Sequence, residues 1–185
     1  LAIFLHIARR TGLDPFTKQI HAVKRWNSEA GRAEMSIQTG IDGLRLIAER
    51  TGKYQGQTAP FFLDSKGVWH EYVWTHDAHP VAARVGVYKA GAREVLWGVA
   101  RWDAYKQTRR DGALTTFWKR MGPEMLAKCA EALALRKAFP HELSGLYSWE
   151  EMQQADNVPV EDTTHTTEGV ASEFPVHAAQ RLEKA

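Results

Sequence analysis

The chain has 185 residues, of which 44% are hydrophobic and 25% are charged, with a net charge of +2. This composition is typical of an ordinary soluble globular protein with enough residues to bury a core. No apolar run approaches the roughly 20 residues needed to span a bilayer, and no basic segment precedes the apolar first residues, as it would in a signal peptide. The single cysteine, Cys129, excludes an internal disulfide. It suits a reducing cytosol, so we expect a cytoplasmic protein.

Charge is unevenly distributed along the chain. Residues 156–185 carry two basic and six acidic side chains, a net charge of −4, which leaves +6 on residues 1–155. The tail is rich in Thr, Glu, Val and Pro with little to pack, so we expect it to be disordered. A basic body with an acidic tail is common in nucleic-acid proteins, but a mildly basic enzyme with a disordered linker has the same pattern. We predict a core domain over 1–155 and a low-complexity tail over 156–185.

The N-terminal third predicts two helices around a pair of strands. The first residues have the i, i+3, i+4, i+7 spacing of a packed helix, which Gly12 would end. Strand-like patterns follow over 20–26 and 33–38, with turn residues between them. An amphipathic helix is expected over 41–48, closed by Gly52. Because the chain begins inside a helix and without Met, we expect it to be a fragment of a longer protein.

The remainder predicts a β region followed by helices. Strands are expected, in order, over 61–63, 68–74, 84–89 and 93–102. In the last of these, Val95, Trp97 and Val99 share one face. A polar and basic loop over 105–113 leads to a long helix over 125–139 and a short one over 148–154. This order indicates an α+β fold, with a mainly antiparallel sheet, packed helices and a long C-terminal helix.

The long helix offers cations beside an apolar stripe. On a helical wheel, Cys129 falls on that stripe with its neighbours at i−3, i+1 and i+4, so we expect a buried packing cysteine and not a nucleophile. Arg136 lies at the edge of the stripe, and Lys137 reaches outward from over it. Lys128 lies on the flank, within pairing distance of Glu124. A packed helix with cations suggests a polyanion binder; the alternative is a core helix with solvated ends.

Tryptophans and basic residues are interleaved between the strands and the long helix. Proteins that bind single strands combine a cationic groove for phosphates with aromatic faces for bases. We expect Trp69, Trp74 and Trp97 to belong to the core, and Trp118 to contact a ligand or shape a groove. The candidate DNA-binding residues are Lys106, Arg109, Arg110, Trp118, Lys119, Arg120, Lys128, Arg136 and Lys137.

Few motifs favour catalysis. Neither Gly-x-x-x-x-Gly-Lys-Ser/Thr nor Gly-x-Gly-x-x-Gly occurs, so ATP use is not expected. No carboxylate pair or Ser/His/Asp set stands out. His76, Asp77 and His79 have the spacing of metal ligands, but they lie in an expected loop that ends at Pro80. The alternative function is therefore a metal-dependent nuclease or related hydrolase that uses this cluster.

Three segments carry a more specific signal. They are TGLDPFTKQI at 11–20, GIDGLRLI at 40–47, and Trp118 followed by the 125–139 helix and Gly-Leu-Tyr at 145–147. In this order they resemble the phage single-strand annealing recombinases of the Red-beta/RecT (Bet) family. The resemblance covers roughly residues 1–155, and the order of the three segments makes it specific.

The resemblance implies a function without catalysis. Such proteins bind single-stranded DNA and anneal complementary strands without ATP in phage recombination, within a bacterial host cell. They form homo-oligomeric rings or filaments, hold the annealed duplex and act with a partner phage exonuclease, with no membrane and no cofactor beyond a modulating effect of Mg²⁺. By position, Arg136 and the Lys128 region match the family's basic DNA-contacting helix, and Trp118 and Lys119 match the segment before it.

This chain departs from the best-known family member, which has more basic residues in and before that helix. Pro123, Glu124 and Cys129 occupy some of those positions here. Other cations, namely Lys106, Arg109, Arg110 and Arg120, could compensate. We expect Arg136→Ala to weaken binding of single-stranded DNA without unfolding the protein.

Overall fold

The structure, a computed structural model, describes residues 2–27, 31–109 and 111–156. In chain order the elements are α1 (Ala2–Thr11), β1 (Ile20–Asn27), β2 (Arg32–Thr39), α2 (Ile41–Arg50), β3 (Tyr54–Gln57), β4 (Phe61–Leu63), β5 (Trp69–Glu71), β6 (Ala82–Lys89), β7 (Leu96–Arg101), α3 (Trp102–Tyr105), α4 (Thr116–Arg120), α5 (Gly122–Ala138) and α6 (Trp149–Asp156). The predicted α+β class is confirmed. The expected disordered tail lies, apart from Asp156, outside the described residues.

All paired strands are antiparallel, in two separate sheets. β1 and β2 form a hairpin of their own. In the five-stranded sheet β6 is central: β7 pairs along one edge, β3 and β4 share the other, and β5 extends the sheet beyond β4. The antiparallel prediction is therefore confirmed, although β3 and the short helices α3 and α4 were not predicted.

Helix α5 packs on one face of this sheet at very close range. Strand alternation directs Gly98 and Ala100 toward α5 and Trp97 to the opposite face. A Cβ atom on Gly98 would overlap the carbonyl oxygen of Ala130 and the backbone of Ala134. Strand and helix therefore meet backbone to backbone, which only glycine at this strand position permits.

Helix α5 is buried around most of its circumference. Leu126, Cys129 and Ala130 lie in the core, as the helical wheel predicted. Glu131 and Leu135, outside the predicted stripe, are also buried, because α2 packs on α5 away from the sheet. The buried surface of the helix is therefore wider than the predicted apolar stripe, and α5 is the central helix of the fold.

Within residues 2–27, 31–109 and 111–156, no helix is both long enough and apolar enough to cross a bilayer.

Candidate nucleic-acid interface

Arg136 is engaged with its own protein. Its Nε and Nη2 atoms donate to the two carboxylate oxygens of Glu151 at 3.0 and 2.7 Å. Nη1 donates to the carbonyl oxygen of Leu146, and the guanidinium lies 4.9 Å from the ring centre of Tyr147. This bidentate arrangement joins α5 to α6 and to the segment between them. A direct DNA contact by Arg136 stays a prediction, and the structure adds an architectural role.

The other two cations of α5 also have protein partners. Lys128 Nζ lies 2.7 Å from Oε1 of the buried Glu150. The pairing of Lys128 with Glu124 that the sequence suggested is therefore replaced by an ion pair to α6. Lys137 is exposed, as predicted, and its Nζ donates to the carbonyl oxygen of Trp97 at 2.7 Å. A phosphate that reached Lys128 would compete with a carboxylate already in place.

The basic loop before α4 is closed into a small hairpin. Thr108 and Leu114 form an antiparallel bridge. Arg109 pairs with Asp111 at 3.2 Å, and both side chains are 61% exposed, so the pair is weak. Arg110 lies outside the described residues. Before the hairpin, Lys106 Nζ lies 2.8 Å from Oδ1 of Asp103.

Helix α4 presents two unpaired cations. Trp118 is 1% exposed, and its ring packs edge-on against Trp102 with centroids 5.4 Å apart. A buried ring has no face for a base, so Trp118 serves here as the anchor of α4. The side chains of Lys119 and Arg120 are exposed and make no hydrogen bond or ion pair with any residue of the described ranges.

The outer face of the five-stranded sheet, opposite α5, carries an aromatic cluster. The guanidinium carbon of Arg84 lies 4.9, 4.4 and 4.8 Å from the ring centres of Phe61, Trp69 and Trp97, in that order. Val99, opposite Arg84 in the strand register, is 49% exposed. We call these five residues the aromatic face. The prediction that Trp69 and Trp97 belong to the core is wrong, since neither joins a buried cluster. Trp74, which was also expected in the core, is partly buried and packs against Phe62 at its edge.

Arg84 is the unpaired cation of this face. Within the described part of the chain it has no carboxylate partner, and its buried Nε atom has no hydrogen-bond acceptor. Gly86, two residues further along β6, lets Val95 and Trp97 pack against the strand, because a Cβ there would overlap the Val95 side chain and lie 3.1 Å from the Trp97 ring. Sequence reasoning missed Arg84 as a site residue. The available signal was a lone cation within the apolar stretch 82–87 of a central strand.

A cationic cleft, also missed from sequence, lies where the C-terminal ends of α1 and α2 meet the segment after α5. Its volume is about 540 Å³, and its lining includes the cations Arg10, Arg50 and Lys53, together with His141 and with Glu142 as an opposing carboxylate. Arg50 donates to the carbonyl oxygens at the end of α1 and in the turn that follows, so one of these cations is committed to the fold.

Comparison with known protein families decides the class. A model described as the RecT family matches residues 1–163. The chain belongs to the RecT family. Its resemblance to annealing recombinases is thereby confirmed, over a longer span than the three sequence segments. The family links it to recombination by single-strand annealing. A search of curated proteins found no match.

The metal-site alternative gains no support in this RecT-family chain. His79 stacks on Trp102 with centroids 4.4 Å apart and planes 5° apart, and His76 packs against His70 at 4.8 Å. His70 Nε2 lies 2.9 Å from Oδ2 of Asp64, and this hydrogen bond lowers the pKa of Asp64 to about 2. In the ranges that the structure describes, no group of three or more His, Cys, Asp or Glu residues could hold a metal ion.

Cys129 is a packing residue, as predicted. It is 2% exposed and lies among Leu126, Ala130 and Trp118. Burial raises the pKa of its thiol well above the usual range, which suppresses the nucleophilic thiolate. The RecT-family core thus offers a buried, unreactive thiol at this position.

Proposed function

We propose that this RecT-family protein binds single-stranded DNA and anneals complementary strands without ATP, as a homo-oligomer. The observation that carries the proposal is the family match over residues 1–163. Phosphate contacts hold a strand without reading its sequence. Base edges left open can then test an incoming strand by pairing, and pairing supplies the free energy. An oligomer multiplies weak contacts along the strand.

Exposed cations without a protein partner are the first candidates for phosphate contact. Lys119 and Arg120 satisfy this condition on α4. We propose that they contact the strand, supported by Lys137 and by Arg109 and Arg110 of the neighbouring loop.

The paired cations take a second place in this proposal. Lys106, Lys128 and Arg136 each hold a carboxylate, which a phosphate would have to replace. We propose that they act on DNA through the position of the elements that they join, and that Trp118 shapes the surface by anchoring α4.

We further propose a phage exonuclease as partner, the host cytoplasm as location and no cofactor beyond modulation by Mg²⁺.

An annealing assay tests the function. Two complementary oligonucleotides, labelled with a fluorophore and a quencher, are mixed with the protein in the absence of ATP. We expect pairing faster than the spontaneous rate and, with Mg²⁺ added, no strand cleavage. Cleavage would favour the nuclease alternative, and an unchanged pairing rate would contradict the annealing proposal.

Salt dependence tests the phosphate contacts. Removal of one cation that binds a phosphate should reduce the salt-dependence exponent of single-strand binding by about 0.7. We expect this reduction for Lys119→Gln and for Arg120→Gln. The charge-matched control is Lys24→Gln, an exposed cation on the β1–β2 hairpin. Equal exponents in all three variants would remove Lys119 and Arg120 from the interface.

A further inference from the structure

We propose that the aromatic face is a base-stacking surface for single-stranded DNA, with Arg84 as the residue that binds the strand between its bases. This inference rests on the proposed function and names the part of the molecule that holds the bases. None of the five residues of the face was a candidate DNA contact from sequence.

The face is open. Helix α5 packs on the inner residues of β4, β6 and β7. On the outer side, Tyr88 and Val99 are 43% and 49% exposed, and the rings of Phe61, Trp69 and Trp97 are half-buried. A contiguous patch of large apolar side chains on a sheet is uncommon unless it binds something.

The chemistry of Arg84 indicates what binds. A guanidinium beside three rings retains its charge, and no carboxylate of the described residues neutralises it. Arginine can bind a phosphate through paired donors and can stack its plane on a base. Arg84 therefore offers both contacts that a nucleotide requires.

The surrounding charges agree with an anionic ligand. Arg101 is exposed at the end of β7, on the same side as Trp97 and Val99. Glu71 is a carboxylate on this side, at the β5 edge in register with Phe61, and among the described residues it makes no ion pair with Arg84. A single strand alternates phosphates and flat bases, which matches a cation surrounded by rings.

The experiment compares oligo(dT) with an abasic strand of equal length, so that charge is constant and only the bases differ. We expect the wild type to prefer oligo(dT) by about 5-fold or more. Val99→Glu places a carboxylate opposite Arg84, and Val99→Gln is its neutral control of similar shape. We expect Val99→Glu to weaken oligo(dT) binding by about 10-fold and Val99→Gln to change it by less than about 2-fold.

A second pair of variants covers failure of Val99→Glu to fold. Trp69→Leu should reduce the preference for oligo(dT) over the abasic strand, whereas Phe16→Ala, at a ring that is 95% exposed outside the face, should leave it unchanged. The melting temperature of each variant reports whether it is folded.

The outcomes separate the two proposals. Binding of neither oligonucleotide by the wild type would contradict the proposed function itself. Equal binding of both strands, with Val99→Glu equal to Val99→Gln, would overturn the base-stacking surface and leave annealing intact. Dissociation of the oligomer by Val99→Glu with the base preference retained would assign the face to subunit contact, and it would also overturn the inference.

Discussion

Arg136 of α5 and Glu151 of α6 form a two-point ion pair, with Nε and Nη2 at 3.0 and 2.7 Å from the two carboxylate oxygens. The side chains are 24% and 12% exposed, so water screens the pair only partly. Together with Lys128 and Glu150, the pair ties the central helix to the last described helix. Arg136 therefore has a structural role in the folded protein before any DNA binds.

Removal of this arginine should destabilise the fold. We expect Arg136→Ala to lower the free energy of unfolding by about 2–4 kcal/mol, because Glu151 is left partly buried without its partner. This revises the expectation from sequence that the variant stays fully folded. Urea denaturation measures the effect, and Glu151→Gln is the matched control for the same pair. An unchanged midpoint together with weaker DNA binding would restore Arg136 as a contact residue.

A second ion pair joins α2 to α5. Arg45 Nη2 lies 2.8 Å from Oε2 of Glu131, which is 6% exposed. The hydrogen bond to Glu131 raises the pKa of Arg45 above its usual value. We expect Glu131→Gln and Arg45→Met each to destabilise the protein by about 1–3 kcal/mol, discounted because Arg45 is partly exposed. A double-mutant cycle should give less than the sum of the two; additive effects would show that the residues act independently.

The contact of β7 with α5 should not tolerate a methyl group. We expect Gly98→Ala to cost about 2–4 kcal/mol, because the new Cβ meets helix backbone that cannot rotate away. The control is Gly91→Ala in an open turn with φ +83°, which should cost only about 1 kcal/mol through backbone strain. Thermal unfolding distinguishes them; equal costs would mean that the helix moves to make room.

Tyr105 should make stability sensitive to alkaline pH. Burial raises the pKa of its hydroxyl from 10.0 to about 12. The folded protein holds this proton more tightly than the unfolded chain does. The resulting stabilisation is fully present below pH 10 and is lost as pH rises through about 12. We expect the free energy of unfolding of Tyr105→Phe to fall less than that of the wild type between pH 9 and 11. Parallel curves would contradict this role.

Cys129 should report on global unfolding. Its thiol is buried and its pKa is raised, so we expect slow alkylation by iodoacetamide at pH 8 in the native state. In denaturant the rate should rise to that of a free thiol. Rapid native labelling would show that α5 separates locally from the sheet.

Sequence periodicity predicts which residues share a face of a strand, but it does not predict which face another element covers. Strand alternation correctly placed Trp97 and Val99 on one side of β7. Which side becomes the core depends on where α5 docks, and Gly98 decides this by allowing the helix backbone to approach. The assignment of Trp69 and Trp97 to the core failed for this reason, since both lie on the side of the sheet away from α5.

The partners of the ion pairs were a second feature that could not be predicted from the sequence. A helical wheel placed Lys128 and Arg136 at the flank and edge of the α5 stripe, and it could offer only partners on the same helix. Their partners, Glu150 and Glu151, come from α6, whose presence was predicted but whose docking position was not. Lys119 and Arg120 are exposed on α4, a short helix that was not predicted, and their contact with DNA stays a prediction.

The seam between β7 and α5 has a mechanical consequence. Side-chain layers let packed elements slide by changing rotamers, but at Gly98 the strand meets the helix through backbone atoms alone. Lys137 adds a tether from α5 to the carbonyl oxygen of Trp97. Both contacts oppose sliding of α5 along β7, so we expect the two elements to move together when the protein changes conformation.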